Sequence, residues 1–150
     1  MTDVAGSQTT EGTPTYLESG DAAPGLTDYY PKWLDSLADD VTVEGSLMDG
    51  AVQGAEAVLK ILVTIRALYD SQEFKFAGPY GADGFLEQYN ARVAGEPIGC
   101  VVVVTRNAAG QTQHIAANYR PRSSVLLLSR LVGEKLANAP YAEHFVRSNS

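Results

Sequence analysis

Four strand-like runs joined by short turns fill the second half of the chain and limit its possible folds more than any other feature. Two of the connections, "AGE" (94–96) and "NAAGQ" (107–111), contain glycine and have common hairpin lengths. Consecutive hairpins build an antiparallel sheet. The run "IGCVVVVT" is apolar at both alternating positions, so that strand is expected to be covered on both faces. The predicted strands are Glu73–Tyr80, Gly84–Val93, Pro97–Arg106 and Gln111–Arg120.

A first helix is predicted from Thr27 to Ala38. Thr27 is a suitable N-cap, and Pro31 is tolerated in a first turn. Its large apolar residues recur at the spacing of one helix face. They are Tyr30, Trp33, Leu34 and Leu37. In this interpretation the stretch "ADD" (38–40) ends the first helix, and a strand follows it.

The strand after it, "VTVEGSLM" (41–48), alternates with period two. Val41, Val43 and their neighbours of the same parity face the interior, whereas Glu44 falls on the polar side and is expected to face solvent. The segment "GAEAVLKILVTIRALYD" (54–70) has the apolar stripe of an amphipathic helix.

The C-terminal segment, Ser123–Ala139, predicts a mostly apolar helix that begins at a serine cap. The apolar face of this helix is wide, which fits either deep burial in the domain or contact with another subunit. The order helix, strand, helix, then four strands is an α+β design. We expect a cone-shaped α+β barrel, in which a curved, mostly antiparallel sheet wraps around the helices.

Composition limits the partners. The 150 residues suit one domain, with 1–25 as a flexible arm and 26–147 as the folded part. A net charge of −7 argues against nucleic acid and anionic membranes, because both are bound through Lys and Arg. A single cysteine and the absence of a signal-like or membrane-spanning run predict a cytoplasmic protein. We expect no metal and no cofactor, since no Cys/His cluster or phosphate-binding loop occurs.

"LADDVTVEGSLMDG…GAEAV" resembles the signature of the nuclear transport factor 2-like superfamily, and "VVVVTRNAAGQTQHIAANYRP" is similar to its last hairpin. The resemblance spans residues 27–123 and points to the SnoaL-like branch. It implies the cone fold. The superfamily includes ketosteroid isomerases, polyketide cyclases, limonene-epoxide hydrolases, scytalone dehydratases and binding proteins, so it does not specify an activity.

The resemblance implies particular positions for catalytic groups. Gly45 stands where the isomerases carry their catalytic aspartate, and Val102 falls near their second acid. Their oxyanion tyrosine has no clear counterpart. Asn118 replaces an aspartate of the epoxide hydrolases and lacks a carboxylate base. The SnoaL-like cyclases need only one acid/base in a hydrophobic cone, which this chain could provide.

Glu87 is the candidate acid/base. It shares strand parity with Phe85, Tyr89 and Ala91, and if this aromatic side faces the cone the carboxylate is desolvated. The alternative places Glu87 near the sheet edge, solvated or paired with a basic residue. Tyr119 aligns with an aromatic pocket position of the isomerases and would donate to a ligand oxygen, or else is a core aromatic.

Other candidates would line the pocket. Cys100 is a small buried hydrophobe or, with a nearby base, a nucleophile. His114 has the opposite parity from Tyr119 and is expected at the surface rather than as a base. The predicted ligand-binding pocket comprises Tyr30, Trp33, Tyr80, Phe85, Tyr89, Cys100 and Val102.

Two functions follow. One is binding of a small hydrophobic, oxygen-bearing molecule in the cone, with isomerase, cyclase, dehydratase or epoxide hydrolase chemistry. The other is a non-catalytic module whose outer sheet face forms a homodimer. That face would carry Thr112, His114, Asn118 and Arg120.

Overall fold

A curved sheet of seven strands with two α-helices makes up the part of the chain that the computed structural model describes, residues 15–16 and 29–146. The predicted α+β class is confirmed. Two 3₁₀ helices add to it, at Lys32–Ser36 and Ala142–His144. The other elements are β1 Thr15–Tyr16, β2 Leu37–Gly45, β3 Val52–Gln53, α1 Ala55–Ala67, β4 Tyr69–Tyr80, β5 Gly84–Val93, β6 Glu96–Arg106, β7 Thr112–Arg120 and α2 Arg122–Lys135.

The strands lie in the order β1-β4-β5-β6-β7-β2-β3. All neighbouring pairs are antiparallel except β2 and β7, which run parallel. The predicted arm, 1–25, lies outside the described residues except for Thr15–Tyr16, whose backbone pairs with β4. No helix in the described ranges has the length and apolar character needed to cross a bilayer.

The turns explain why the hairpins were predictable. Ala94 and Gly95 both have positive φ, 50° and 81°, as a two-residue turn between twisted strands requires. In the next turn the Asn107 side chain accepts hydrogen bonds from the backbone N–H groups of Ala109 and Gln111, at 2.9 and 3.0 Å. β5 has the predicted bounds, and β6 and β7 differ from the prediction by one residue each.

The predicted first helix is wrong in length and type. Among residues 29–38, the described part of the predicted helix, only Lys32–Ser36 are helical, as a 3₁₀ turn, and the predicted cap Thr27 lies outside the described residues. Leu37–Asp40 join β2 instead, with Leu37 paired to Thr112 of β7. Long-range pairing with β7 thus outweighs the weak local helix preference, and the two aspartates belong to a strand.

The helices attach to the sheet through apolar faces and two buried serines. Val58, Ile61 and Ile65 of α1 are buried, as predicted from its stripe. The predicted serine cap of α2 is wrong, because α2 begins after Pro121 without a side-chain cap. Ser124 instead donates to the Pro97 carbonyl at 2.7 Å, and Ser129 donates to the Leu47 carbonyl at 2.6 Å.

Gly45 ends β2 directly against the parallel strand β7. A Cβ built on Gly45 would lie 2.0 Å from the carbonyl oxygen of Ala117, its partner in the register. That atom belongs to the backbone and cannot rotate away. Only glycine therefore fits this position without displacing one of the two strands.

Candidate functional site

Successive cross-strand rows cover the inner face of the sheet. The first row, Phe85–Val104–Ile115, is closely packed and almost fully buried. In the second row Glu87 lies between Ala77 and Val102, and Ala117 follows. The third row is aromatic and polar, with Phe74, Tyr89, Cys100 and Tyr119. Because the second row has small neighbours, it leaves space above the Glu87 carboxylate.

Glu87 is 2% exposed, so the alternative of a solvated edge residue is wrong. Its Oε2 atom accepts a hydrogen bond from the Trp33 indole Nε1 at 2.8 Å and another from the Tyr29 hydroxyl at 2.5 Å. The tryptophan is fixed at its other end, since its carbonyl accepts from the buried Thr112 hydroxyl at 2.9 Å. Two donors on one oxygen hold the carboxyl group in a single orientation.

Three tyrosine hydroxyls meet beside the carboxylate. Tyr69 and Tyr89 are 2.6 Å apart at their oxygens, and Tyr119 lies 3.4 Å from each. Burial raises the pKa of Tyr69, and it raises the pKa values of Tyr89 and Tyr119 well above their usual range. The three hydroxyls therefore stay protonated at neutral pH and can act as hydrogen-bond donors.

Cys100 lies between Tyr89 and Tyr119 in the same row and is fully buried. Burial is the main reason that the pKa of its thiol rises to about 12. A neutral thiol is a poor nucleophile. The structure thus agrees with the small buried hydrophobe that the sequence predicts.

A cavity of about 70 Å³ is lined by Glu87 and by the three tyrosines Tyr69, Tyr89 and Tyr119. The inner face of the sheet supplies Glu87, Tyr89 and Tyr119, among others. The 3₁₀ helix and the end of α1 close the cavity from above. The residues that do so are Pro31, Trp33, Leu34, Leu62, Ile65 and Arg66. Tyr69 and Gln72, from the start of β4, complete the wall.

The predicted pocket residues divide into those that line the cavity, those buried beside it, and two tyrosines that are exposed. Trp33, Tyr89 and Val102 line the cavity, together with the candidate catalytic residues Glu87 and Tyr119. Phe85 and Cys100 are buried on the same face but are not part of the cavity wall.

The prediction that Tyr30 and Tyr80 line the pocket is wrong. Tyr30 is 46% exposed, and its hydroxyl donates to Asp35 at 2.9 Å. Because the expected helix is a short 3₁₀ turn, Tyr30 precedes it and points outward. Tyr80 ends β4 and is 57% exposed.

Sequence reasoning missed Tyr29, Tyr69, Gln72 and Arg66. Tyr29 contacts Glu87, although only its neighbour Tyr30 matched the helix spacing. Tyr69 falls within the segment 54–70 that the sequence predicts as a helix, but α1 ends at Ala67 and Tyr69 begins β4. With the strand start at residue 69, period two would have placed Gln72 on the inner face with Phe74.

The outer face differs from the prediction at one position. His114 lies within 2.9 Å of Glu44 Oε2 and 2.5 Å of the Thr42 hydroxyl, so it belongs to the outer surface as expected. Thr112, predicted on that face, is buried and turned toward Trp33. The register of β6 and β7 shifts between Thr105 and Arg106, which reverses the parity of Thr112 relative to His114.

No group of three or more His, Cys, Asp or Glu side chains within the described ranges is arranged to hold a metal ion. The polar groups around the cavity are one carboxylate, which accepts hydrogen bonds, and an indole N–H and phenolic hydroxyls, which can donate them. This set suits binding to an oxygen-bearing organic molecule and proton transfer.

No family model and no curated protein matches the sequence. Solved structures do match the fold. One is an uncharacterized protein with a cystatin-like fold from Silicibacter pomeroyi DSS-3, with 16% identity and a TM-score of 0.67 over 76% of this chain and 83% of that one. A steroid delta-isomerase from Pseudomonas aeruginosa has 18% identity and a TM-score of 0.65, covering 69% and 77% of the two chains.

A third match is a nuclear transport factor 2-like protein of unknown function from Burkholderia xenovorans LB400. It has 14% identity and a TM-score of 0.50 over 61% of this chain and 75% of that one. At such identities the likeness concerns the fold alone. The cone-shaped arrangement of sheet and helices, with these matches, shows that the chain has a nuclear transport factor 2-like fold.

Proposed function

We propose that this protein binds a small hydrophobic molecule carrying a carbonyl or hydroxyl oxygen in the cone cavity. One observation carries the proposal: the Glu87 carboxylate is almost fully buried and lines the same cavity as the Tyr89 and Tyr119 hydroxyls. Burying a carboxylate costs free energy, and a chain without a use for it would gain stability from an apolar residue here.

The arrangement suits cofactor-independent acid/base chemistry. In the proposed mechanism Glu87 exchanges a proton with the ligand, and Tyr119 donates a hydrogen bond to the ligand oxygen as charge develops on it. Tyr29 and Trp33 keep Oε2 in place, so that the carboxyl group does not have to reorganise during the transfer. This chemistry includes isomerases, cyclases and dehydratases, and turnover is the part of the proposal that needs direct assay.

The steroid delta-isomerase with the same fold supports a ligand in the cone, but the residues argue against its mechanism here. Gly45 occupies the position where the resemblance implies a catalytic aspartate, and a side chain there would collide with the Ala117 carbonyl. We therefore propose a different reacting carboxylate, Glu87, on a different strand.

The cavity size restricts the ligand. A volume of about 70 Å³ corresponds to roughly five water-sized sites, so only a compact molecule or the reacting end of a larger one fits. The residues that close the cavity from above include the apolar side chains of Leu34 and Leu62, together with Arg66. An apolar body with one oxygen directed inward matches this lining.

The test is a thermal-shift screen of steroid-, terpenoid- and polyketide-like compounds on the full chain. A compound that stabilises the wild type should lose its effect in Glu87→Gln and in Tyr119→Phe. Glu44→Gln, an exposed glutamate on β2, is the matched control and should keep the effect. An unchanged shift in Glu87→Gln would remove Glu87 from the site, and candidate ligands are then assayed for turnover.

A non-catalytic homodimer is the second candidate, and an apolar stripe on the outer sheet face favours it. Val103 lies between Leu86 and Ala116 in one cross-strand row, and all three are only half-buried. Covering them with a second copy would remove apolar surface from water. Light scattering should then report a dimer that Val103→Glu dissociates, and a monomeric wild type would end this proposal.

A cytoplasmic location also remains a proposal. Its support is the single cysteine, which is buried and free.

A further inference from the structure

A second depression lies on the outer face of the sheet, behind the cone cavity. Its volume is about 440 Å³, within the usual range of small-molecule sites. Strand register explains its shape. Glu73, Asn90, Gly99 and Arg120 are successive neighbours across β4, β5, β6 and β7, so the side chains of Glu73, Asn90 and Arg120 share one row on this face, with bare backbone at Gly99. We call this depression the outer groove.

Gly99 forms the floor of the outer groove. A Cβ built on Gly99 would lie 3.0 Å from Cζ and 3.1 Å from Nη2 of Arg120. The guanidinium therefore rests directly on the bare backbone of β6. In this position the planar face is covered by the strand, and the N–H groups at its edge remain available to a ligand.

The charge of the outer groove is opposite to that of the whole chain. The chain has a net charge of −7, yet the groove contains Arg92 and Arg120. Within the described residues the Arg120 side chain makes no hydrogen bond or ion pair, and Arg92 donates from Nη1 to the Gly95 carbonyl at 2.8 Å. The one carboxylate of the groove, Glu73, is paired with Lys75 at 3.2 Å.

We propose that the outer groove binds a small molecule through a carboxylate or phosphate group. Arg120 is its main contact, because a guanidinium presents paired N–H donors that match two oxygens of such a group. Arg92 adds a second positive charge. The Asn90 amide and the Ser71 hydroxyl, which line the groove and have no hydrogen-bond partner among the described residues, supply neutral donors.

The outer groove is independent of the cone cavity. Asn90 and Arg120 directly follow Tyr89 and Tyr119 in sequence, and successive residues of a strand point to opposite faces. The same strand segments thus carry the cavity hydroxyls inside and the groove donors outside. Loss of one site by mutation need not remove the other, so the two proposals can fail separately.

The test titrates the full chain at low ionic strength with two probes, phenyl phosphate and benzoate, by calorimetry and amide chemical shifts. Binding of either probe should weaken by about tenfold or more in Arg120→Gln, since a charge-assisted hydrogen bond is lost. It should also weaken as salt is added. Arg130→Gln removes an arginine that pairs with Glu134 on α2, and it should leave the affinity unchanged.

Gly99→Ala is a second variant that keeps every charge. Its methyl group would press on the movable end of the Arg120 side chain, so the fold should persist while the guanidinium shifts and affinity falls several-fold. Preference for one probe identifies phosphate or carboxylate as the recognised group. If neither probe binds in the millimolar range, or if Arg120→Gln binds as tightly as the wild type, the proposal is overturned.

Discussion

The Trp33 indole N–H donates to Glu87 Oε2 at 2.8 Å, joining the 3₁₀ helix to the centre of β5 across 54 residues of sequence. The same tryptophan accepts a hydrogen bond from Thr112 through its carbonyl. A single side chain and its backbone therefore connect the roof of the cavity to two strands. The position of the roof and the orientation of the carboxylate are linked.

Replacing Trp33 by Phe should destabilise the protein. The change removes a donor from a buried carboxylate, and hydrogen bonds to charged groups contribute about 1.5–3 kcal/mol. Tyr30→Phe, which removes only an exposed hydroxyl bond to Asp35, should change the free energy of unfolding by less than about 0.5 kcal/mol. Urea denaturation measures both.

A double-mutant cycle with Glu87→Met separates the hydrogen bond from packing. The coupling energy between Trp33→Phe and Glu87→Met should exceed about 1 kcal/mol, since the two side chains are in direct contact. Additive effects would show that Trp33 contributes by packing alone.

Gly45→Ala should destabilise by at least about 2 kcal/mol, because the new Cβ would overlap a backbone oxygen of Ala117. Gly54→Ala is the control. Gly54 also has a positive φ, 116°, but a Cβ there meets nothing within 4 Å. The control variant reports backbone strain without the clash. Equal losses in the two variants would contradict the proposed collision between β2 and β7.

Stability should fall at high pH as the buried tyrosines are forced to ionise. Burial raises the pKa values of Tyr89 and Tyr119 well above the usual tyrosine value of about 10, so above pH 10 the unfolded chain loses these protons while the folded chain keeps them. The stabilisation is complete below pH 10 and declines above it, by about 1.4 kcal/mol per pH unit for each such hydroxyl.

Alkaline unfolding followed by circular dichroism and tyrosinate absorbance tests this prediction. Tyr119→Phe should make the decline less steep, whereas Tyr80→Phe, at an exposed position, should leave it unchanged. Ionisation of all tyrosines near pH 10 in the folded state would refute it.

Cys100 should react with a thiol reagent only when the protein opens. Its side chain is fully buried, and burial raises the pKa of the thiol to about 12, so little thiolate is present or accessible. Labelling at neutral pH should be slow in buffer and rapid in denaturant. Fast, stoichiometric labelling of the native protein would show that the third row of the inner face is open to solvent.

The parts of this fold that sequence predicts best are those determined by neighbouring residues. The β5–β6 turn depends on Ala94 and Gly95. The orientation of Glu87 toward the inner face follows from the period-two alternation within β5. The prediction of the first helix is wrong because its residues are held by distant partners, as when Leu37 pairs with Thr112. Tyr29 was missed for the same reason, since its contact with Glu87 depends on the path of the chain before the 3₁₀ helix.

The parallel pairing of β2 with β7 also affects the order of folding during synthesis. Thr42 and His114 are paired although 72 residues separate them, whereas β4 to β7 can pair as successive hairpins. On the ribosome β2, with Val41 and Val43, is therefore made before β7, its parallel partner. Asp39, Asp40 and Glu44 flank these valines, and charges in such positions hinder pairing between chains. We expect the acids of "ADDVTVE" to hinder pairing of this strand with other chains until β7 has been made, a role unrelated to catalysis.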